Sequence, residues 1–401
     1  MILDADGNGI PINDKTWDER AEKVIAQGCL TYSKRSDQYV KGLYPTHVEG
    51  ADPMGKLECT DGKSYYDFVG GLGANLIQPH NSFTLPTVME VILAEKIVER
   101  IKCIDKLRFL KTGSDACSAA VRIARAYTGK SFGIGSGYHG WHNSFIEQEN
   151  PGVGCVDESY LKCKHLTEII DSCNVNVGYC IIEPVMLDMS DEHIQNLRKL
   201  REICTKYGIV LIHDEVILGY RTPQYCMSNY LDIQPDLICL GKAMANGHPL
   251  SVVGGKKEIM DTPDYFVSST FAGDEMSLFN SILIHDFIDE NPIEELWERG
   301  KWFQEEMNKA LKKIDVRLVG IPTRATWAGN ETNKALFWQE MLKQGYLFGK
   351  AFFLMYMYTD AMLKTVIREA HNVCESIKNN NVKLEGDLPK EVFARNPELK
   401  K

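Results

Sequence analysis

Short apolar runs alternate with helical periodicity through the middle of the chain. Runs typical of buried strands cover residues 107–110, 132–134, 178–182, 209–212 and 237–240. Between them, residues 116–127 and 192–207 repeat apolar positions at the spacing of amphipathic helices. Alternating strands and helices predict an α/β fold built on a mostly parallel sheet. Ligands of such sheets bind at the carboxyl ends of the strands.

The two ends of the chain have a different pattern. Residues 56–69 alternate apolar and polar positions around Asp61-Gly62, which predicts a hairpin. From about Asp289 the sequence is helix-rich and charged, with a strand-like stretch at 316–320. We therefore expect a large domain of residues 71–288, and a smaller α+β domain to which residues 1–70 and 289–401 both contribute.

Composition and charge narrow the function classes. The chain has 401 residues, of which 44% are hydrophobic and 25% charged, and this balance is typical of a globular protein rather than a disordered or fibrous one. A net charge of −10 disfavours nucleic-acid polymers and anionic membranes as partners. No apolar run approaches the roughly 20 residues of a spanning helix, and the first residues lack the apolar core of a secretory signal.

The twelve cysteines are scattered along the chain, without a C-x-x-C pair and without a zinc-ligand spacing. Scattered cysteines without a secretion signal are typical of reduced thiols in a cytoplasmic protein. We therefore expect a cytoplasmic location and no metal.

Two charged residues come directly after predicted buried strands. Asp214 follows the run at 209–212, where a carboxylate can pair with a protonated heterocycle or a metal, or can simply be a surface acid. Lys242 follows the run at 237–240. Burial disfavours the charged amine, which suits Schiff-base chemistry, although a lysine reaching solvent fits the same position.

Two further segments offer groups that bind a flat, phosphorylated ligand. Residues 112–116 form a small turn before a helix, where free N–H groups hold phosphate or a side chain caps the helix. The aromatic residues of 138–142 offer rings for stacking, and their two histidines alternatively suggest a metal without further ligands. Together with Asp214 and Lys242, these are the parts needed to hold pyridoxal phosphate.

These motifs resemble those of class III (ω-type) pyridoxal-phosphate aminotransferases, which have fold type I, and are most similar to their glutamate-1-semialdehyde 2,1-aminomutase branch. The matching segments are residues 61–63, 66–68, 112–130, 138–140, 183–185, 214–221, 241–255 and 269–273. Their order, with Lys242 placed 28 residues after Asp214, makes the match specific. The resemblance implies a large domain with a mostly parallel seven-stranded sheet and a smaller α+β domain.

The resemblance also implies a role for each matching residue around the cofactor. Lys242 would form the internal aldimine and, once released, move a proton between the substrate's Cα and the cofactor. Asp214 would keep the pyridine nitrogen protonated. Tyr138 would cover one face of the ring and Val216 the other.

Phosphate binding and oligomeric state are implied in the same way. Gly113 and Ser114 match the phosphate-binding turn, and Glu183 matches a position in the floor of the pocket. Thr270 matches a residue that reaches the cofactor phosphate of the neighbouring subunit, which implies a homodimer with shared sites.

The implied activity is amino-group transfer from an amine or amino acid to an aldehyde or ketone. An aminomutase, which moves the amino group within one substrate, remains an alternative, as do another pyridoxal-phosphate reaction and a non-catalytic relative of the fold. The chain departs from the branch at Leu187-Asp188, which stands where Gly-Asn is usual, and at residues 273–275. Arg35 and Arg221 are candidates for binding an anionic substrate.

Overall fold

The structure is a computed structural model. It describes residues 14–389 except 41–42, 53–55, 78–80, 146–158, 164–165, 174–175, 186 and 264. The outermost parts of the predicted domains, residues 1–13 and 390–401, therefore lie outside the described residues.

Strands and helices alternate along the chain as the apolar pattern predicts. The strands are β1 (Val48–Ala51), β2 (Lys56–Cys59), β3 (Ser64–Tyr66), β4 (Lys106–Leu110), β5 (Phe132–Ser136), β6 (Tyr160–Lys162), β7 (Val177–Ile182), β8 (Val210–Asp214), β9 (Leu237–Leu240), β10 (Ser251–Gly255), β11 (Val316–Ile321), β12 (Arg324–Gly329) and β13 (Ala351–Phe353). The α-helices are α1 (Asp14–Val24), α2 (Gly70–Gly73), α3 (Val88–Arg100), α4 (Gly113–Thr128), α5 (Leu166–Cys173), α6 (Asp191–Tyr207), α7 (Met227–Leu231), α8 (Lys257–Met260), α9 (Glu275–Glu290), α10 (Ile293–Leu311), α11 (Glu331–Lys343) and α12 (Asp360–Lys378).

A seven-stranded sheet forms the centre of the molecule, in the order β4-β10-β9-β8-β7-β5-β6. Its strands are parallel except β10, which runs antiparallel to β4 and β9. Strands β4, β7, β8, β9 and β10 are buried along their whole length, as expected of a sheet covered on both faces. The predicted α/β fold with a mostly parallel seven-stranded sheet is confirmed.

The strand order brings the two charged strand-end residues together. Strands β8 and β9 are parallel neighbours, and Asp214 pairs with Cys239 in their ladder. Lys242 comes three residues after Cys239, so it leaves the sheet at the same edge as Asp214. Because β5 and β7 run in the same direction, the residues that follow them reach that edge too.

Local sequence signals explain where α4 begins and ends. Thr112 is its N-cap, and Thr112 and Asp115 exchange hydrogen bonds in a capping box. Gly129 ends the helix in the left-handed conformation, with φ 65°. The helix therefore starts immediately after β4, and its N-terminus points to the edge where Asp214 and Lys242 lie.

Two smaller antiparallel sheets flank the central one. Strands β2 and β3 form the predicted hairpin and join β1, and their apolar side chains pack with Phe83 and Leu85. Strands β11, β12 and β13 form the second sheet, which shares a core with α10, α11 and α12. Among the described residues, no helix is both long and apolar enough to cross a bilayer.

The N-terminal segment, which is expected to join residues 289–401 in one small domain, makes two sets of contacts in its described part. Trp17 and Ala21 of α1 belong to the core that α3 shares with the central sheet. The N-terminal strands form a sheet of their own, because their apolar face is covered by Phe83 and Leu85. The division of the chain after residues 70 and 288 stays a prediction.

Candidate active site

The Asp214 carboxylate lies at the end of β8 and is buried, with 5% of the residue exposed. Its Oδ2 lies 2.9 Å from Nδ1 of His139 and 3.3 Å from Sγ of Cys117. Its Oδ1 accepts the backbone N–H of Val216 at 3.1 Å. A buried charge needs hydrogen bonds to replace its lost hydration, and these three groups replace it here.

Lys242 opens the short 3₁₀ turn Lys242–Ala245 directly after β9. Its φ of 45° places a non-glycine residue in the left-handed region, and strain of this kind clusters at functional sites. Lys242 is exposed as a residue, yet the surrounding protein lowers the pKa of its amine by desolvation. The carboxylates of Asp214 and Glu183 act in the opposite direction and favour its charged form.

The N-terminus of α4 is pressed closely against the site. A Cβ added to Gly113 would lie 2.6 Å from Cγ1 of Val216, so only glycine fits there without a shift. A Cβ on Gly140 would lie 2.3 Å from Oγ of Ser114. The first N–H groups of a helix have no acceptors within the helix, so those of Gly113 and Ser114 are available to an anion.

Tyr138 and Glu183 connect the loops that follow β5 and β7. The N–H of Tyr138 donates to Oε2 of Glu183 at 3.1 Å, while half of the Tyr138 residue is exposed. Burial raises the pKa of Glu183, and the Tyr138 N–H partly offsets that rise. The Glu183 carboxylate therefore holds the loop that carries the Tyr138 ring.

The structure adds three residues that the sequence motifs do not identify. His139 and Cys117 contact Asp214, as described above. Arg324, the first residue of β12, lies close enough to Lys242 that its charge lowers the amine's pKa, and Glu183 interacts with it too. Cys117 and His139 stand inside the matching segments 112–130 and 138–140, so those segments held a usable signal, whereas Arg324 comes from another sheet and has no local signal.

Arg35 is not brought to Lys242 within the chain. It pairs with Asp37 at 3.2 Å and lines a surface pocket of about 790 Å³ together with Lys106. Lys106 begins β4, whereas the α4 N-terminus and Lys242 lie beyond the other end of that strand. Arg35 therefore lies at the edge of the sheet opposite the candidate site.

Arg221 and Thr270 lie in connecting segments. The Arg221 guanidinium donates to the backbone carbonyl of Leu354 at 2.9 Å and stacks over the Phe353 ring at 4.9 Å, so it links the central part of the chain to β13. Thr270 is half-buried in the turn before α9, and its backbone carbonyl accepts from Oγ of Ser82 at 3.5 Å. Its expected reach toward a second subunit stays a prediction.

The fold and the cluster of strand-end residues agree with one family of enzymes. Residues 142–379, more than half of the chain, match the family model described as aminotransferase class-III. The chain belongs to the class-III aminotransferase family.

Two similar proteins have names that are consistent with this family. A glutamate-1-semialdehyde 2,1-aminomutase of Chloroherpeton thalassium is 28% identical over 88% of this chain and 96% of its own length. One of Methanococcoides burtonii is 27% identical over 83% and 89%.

Solved structures show the same fold. A transaminase with PLP bound superposes with a TM-score of 0.67 over 93% of this chain and 99% of its own, at 20% identity. An omega-transaminase from Sphaerobacter thermophilus gives 0.66 over 90% and 97%, at 19% identity.

The described residues fit pyridoxal phosphate, the cofactor of this family. A Cβ at Gly113 would collide with Val216, so glycine allows the close approach of α4, whose first N–H groups can bind a phosphate. A buried carboxylate at Asp214 suits a protonated ring nitrogen. A lysine with a lowered pKa suits covalent attachment to an aldehyde.

Proposed function

We propose that this chain transfers an amino group from an amine or amino acid to an aldehyde or ketone, with pyridoxal phosphate held between Lys242 and Asp214. The observation that carries the proposal is that these two residues lie at the same edge of the sheet. The amine has a lowered pKa, and the carboxylate is buried with three hydrogen-bonding partners.

Each residue has a task that its surroundings support. Lys242 would bind the cofactor through Nζ and, once displaced by the substrate's amine, would take a proton from the substrate and return it. Asp214 would hold the cofactor's protonated ring nitrogen through a charge-assisted hydrogen bond. When bound, pyridoxal phosphate supplies the carbonyl that receives the amino group and the ring that withdraws electrons.

The remaining residues would orient the cofactor. The N–H groups of Gly113 and Ser114 would bind the phosphate, and the helix dipole favours its negative charge. Val216 lies against Gly113 and offers an apolar side chain to one ring face. Tyr138, whose loop Glu183 holds, would cover the other face.

We place an anionic group of the substrate near Arg324. Its charge acts on Lys242, where the reaction would occur. Arg221 is engaged by Leu354 and Phe353, and Arg35 lies at the opposite edge of the sheet. A substrate carboxylate at Arg324 therefore fits better than one at either arginine suggested by the sequence.

The aminomutase alternative is favoured by the names of the similar proteins. The two activities differ in the number of substrates that they need. A transferase needs a separate donor and acceptor, whereas an aminomutase converts glutamate-1-semialdehyde to its isomer with neither. Incubation with glutamate-1-semialdehyde alone, followed by chromatography of the products, separates them.

The test of the proposal is covalent mapping of the cofactor. The purified protein is loaded with pyridoxal phosphate and reduced with borohydride, and its peptides are analysed by mass spectrometry. The cofactor mass is expected on Lys242, together with amino transfer from at least one member of a panel of donors.

The variant Lys242→Ala is expected to lose both the mass and the transfer. Lys257→Ala, which removes an exposed lysine outside the site, should keep both. A protein that takes up no cofactor, or that carries it on another lysine, would refute the proposal.

We further propose a homodimer. Exposed apolar residues recur in two segments: residues 66–77, with Phe68, Leu76 and Ile77 at 94–98% exposure, and residues 266–287, with six side chains at 39–60% exposure. Ser82 connects the two segments, because its carbonyl accepts a hydrogen bond from Nδ2 of Asn75 and its Oγ donates to the carbonyl of Thr270. A second copy would cover this apolar face and would bring Thr270 near the partner's phosphate.

A cytoplasmic location belongs to the same proposal. The cysteines whose side chains are described are free thiols, and most are buried. Free thiols persist in a reducing compartment.

A further inference from the structure

Two hydrogen-bonding groups converge on a single oxygen of the Asp214 carboxylate. Nδ1 of His139 and Sγ of Cys117 both lie within bonding distance of Oδ2. Among the described residues, Oδ1 accepts a hydrogen bond only from the N–H of Val216. A carboxylate oxygen has two acceptor positions, so Oδ1 keeps one for a further donor.

Cys117 is a buried residue whose thiol reaches the Asp214 carboxylate. It lies on α4 with 1% of the residue exposed, and its neighbours include the thiol of Cys239. The contact with Cys239, burial and the charge of Asp214 together raise the pKa of the Cys117 thiol well above its usual value. The thiol therefore keeps its proton at neutral pH and can donate it to the carboxylate.

We propose that Cys117 is a positioning residue, which together with His139 fixes Oδ2 so that Oδ1 faces the cofactor's ring nitrogen. The inference rests on the proposed function and deepens it. Val216 restrains Oδ1 from the backbone, while Cys117 and His139 restrain Oδ2 from two other segments, α4 and the loop after β5. Three restraints from three segments leave the carboxylate little freedom to rotate.

Two variants of Cys117 separate the effect of its hydrogen-bond donor from the effect of its side-chain volume. Cys117→Ser keeps a donor at nearly the same place, although its shorter C–O bond lengthens the contact slightly. Cys117→Ala removes the donor and leaves a small cavity. Cys180→Ala is the matched control, because Cys180 is equally buried in β7 but belongs to another apolar cluster.

The experiment measures cofactor binding rather than turnover alone. Apoprotein of each variant is titrated with pyridoxal phosphate, and the induced circular dichroism of the bound cofactor is recorded, because this signal reports the orientation of the ring. Urea unfolding of the apoprotein gives the stability cost of each cavity. The unchanged protein is tested first for cofactor on Lys242, so that failure of the proposed function is recognised separately.

Cys117→Ala is expected to raise the dissociation constant by about fivefold to tenfold, as for loss of one ordinary hydrogen bond, because a thiol is a weak donor. Its circular dichroism should change as well, while Cys117→Ser stays within about twofold of the unchanged protein. Cys180→Ala should lose stability without a change in either cofactor signal. Equal cofactor effects in Cys117→Ala and Cys180→Ala, or no effect in Cys117→Ala, would overturn the inference.

Discussion

A lysine must lose its proton before its amine can attack a carbonyl, and the surroundings of Lys242 favour that loss. Desolvation lowers the pKa of the amine most, and the positive charge of Arg324 lowers it further. Asp214 and Glu183 act against both. The balance leaves a larger fraction of uncharged amine at neutral pH than a lysine in water would have.

The first prediction is a pH dependence. Uptake of pyridoxal phosphate by the apoprotein should become faster as pH rises, because only the uncharged amine attacks, and should level off below the pKa of an ordinary lysine. Arg324→Ala removes a charge that disfavours protonated Lys242, so its midpoint should move to higher pH. Stopped-flow absorbance measures the rates.

Arg324→Lys is the control for this prediction, since it keeps the positive charge and should leave the midpoint close to its original position. A midpoint that stays unchanged in Arg324→Ala would show that Arg324 does not act on the amine.

At the scale of elements, the site depends on how closely α4 approaches the turn after β8. The capping box fixes the first residue of the helix, and the absence of a side chain at Gly113 lets Val216 pack against its backbone. Sequence and packing thus set the position of the anion-binding N–H groups relative to Asp214.

Gly113→Ala is therefore expected to weaken cofactor binding. The new methyl group would lie 2.6 Å from Cγ1 of Val216, so the helix and the turn must separate. Overpacking of this kind costs about 1–3 kcal/mol, which corresponds to roughly a fivefold to 150-fold rise in the dissociation constant. Spectroscopic titration of the apoprotein with pyridoxal phosphate measures it.

Gly50→Ala is the comparison for this variant, because a Cβ at Gly50 meets no atom within 4 Å. It should bind the cofactor as tightly as the unchanged protein does. Tight binding by Gly113→Ala as well would mean that the contact relaxes without disturbing the phosphate site.

At the scale of the whole molecule, the proposed dimer follows from an apolar face that continues across two segments of the chain. The face lies beside Thr270, whose carbonyl accepts a hydrogen bond from Oγ of Ser82. Ser82 follows the first segment by five residues. A homodimer would therefore join the oligomeric state to the completeness of the site.

Leu76→Glu should shift the protein toward monomers in sedimentation velocity and weaken cofactor retention at the same protein concentration. Leu76 is 98% exposed in the single chain, and a charge buried in an apolar interface is costly. Leu347→Glu alters a residue that is 86% exposed but lies outside the two segments. It should leave the sedimentation coefficient unchanged, and equal dissociation of both variants would argue against the proposed face.

The sequence by itself determined the alternation of strands and helices and the strand-end positions of Asp214 and Lys242. Apolar runs and capping residues act over a few neighbouring positions, so they can be recognised along the chain. The hairpin around Asp61-Gly62 is of this kind, and so is the helix predicted over 116–127, which the structure extends to Gly113–Thr128. The order of the motifs was enough to identify the family.

Only the tertiary structure decided which side chains meet. Cys117 and His139 contact Asp214 because a helix and a loop converge on the end of β8, and Arg324 acts on Lys242 from a different sheet. Arg35 lies at the edge of the sheet opposite Lys242, and α1 packs on the core of the central sheet. Both placements also depend on how distant segments of the chain pack together. Such contacts arise from strand order and burial between distant segments, and no local pattern of residues records them.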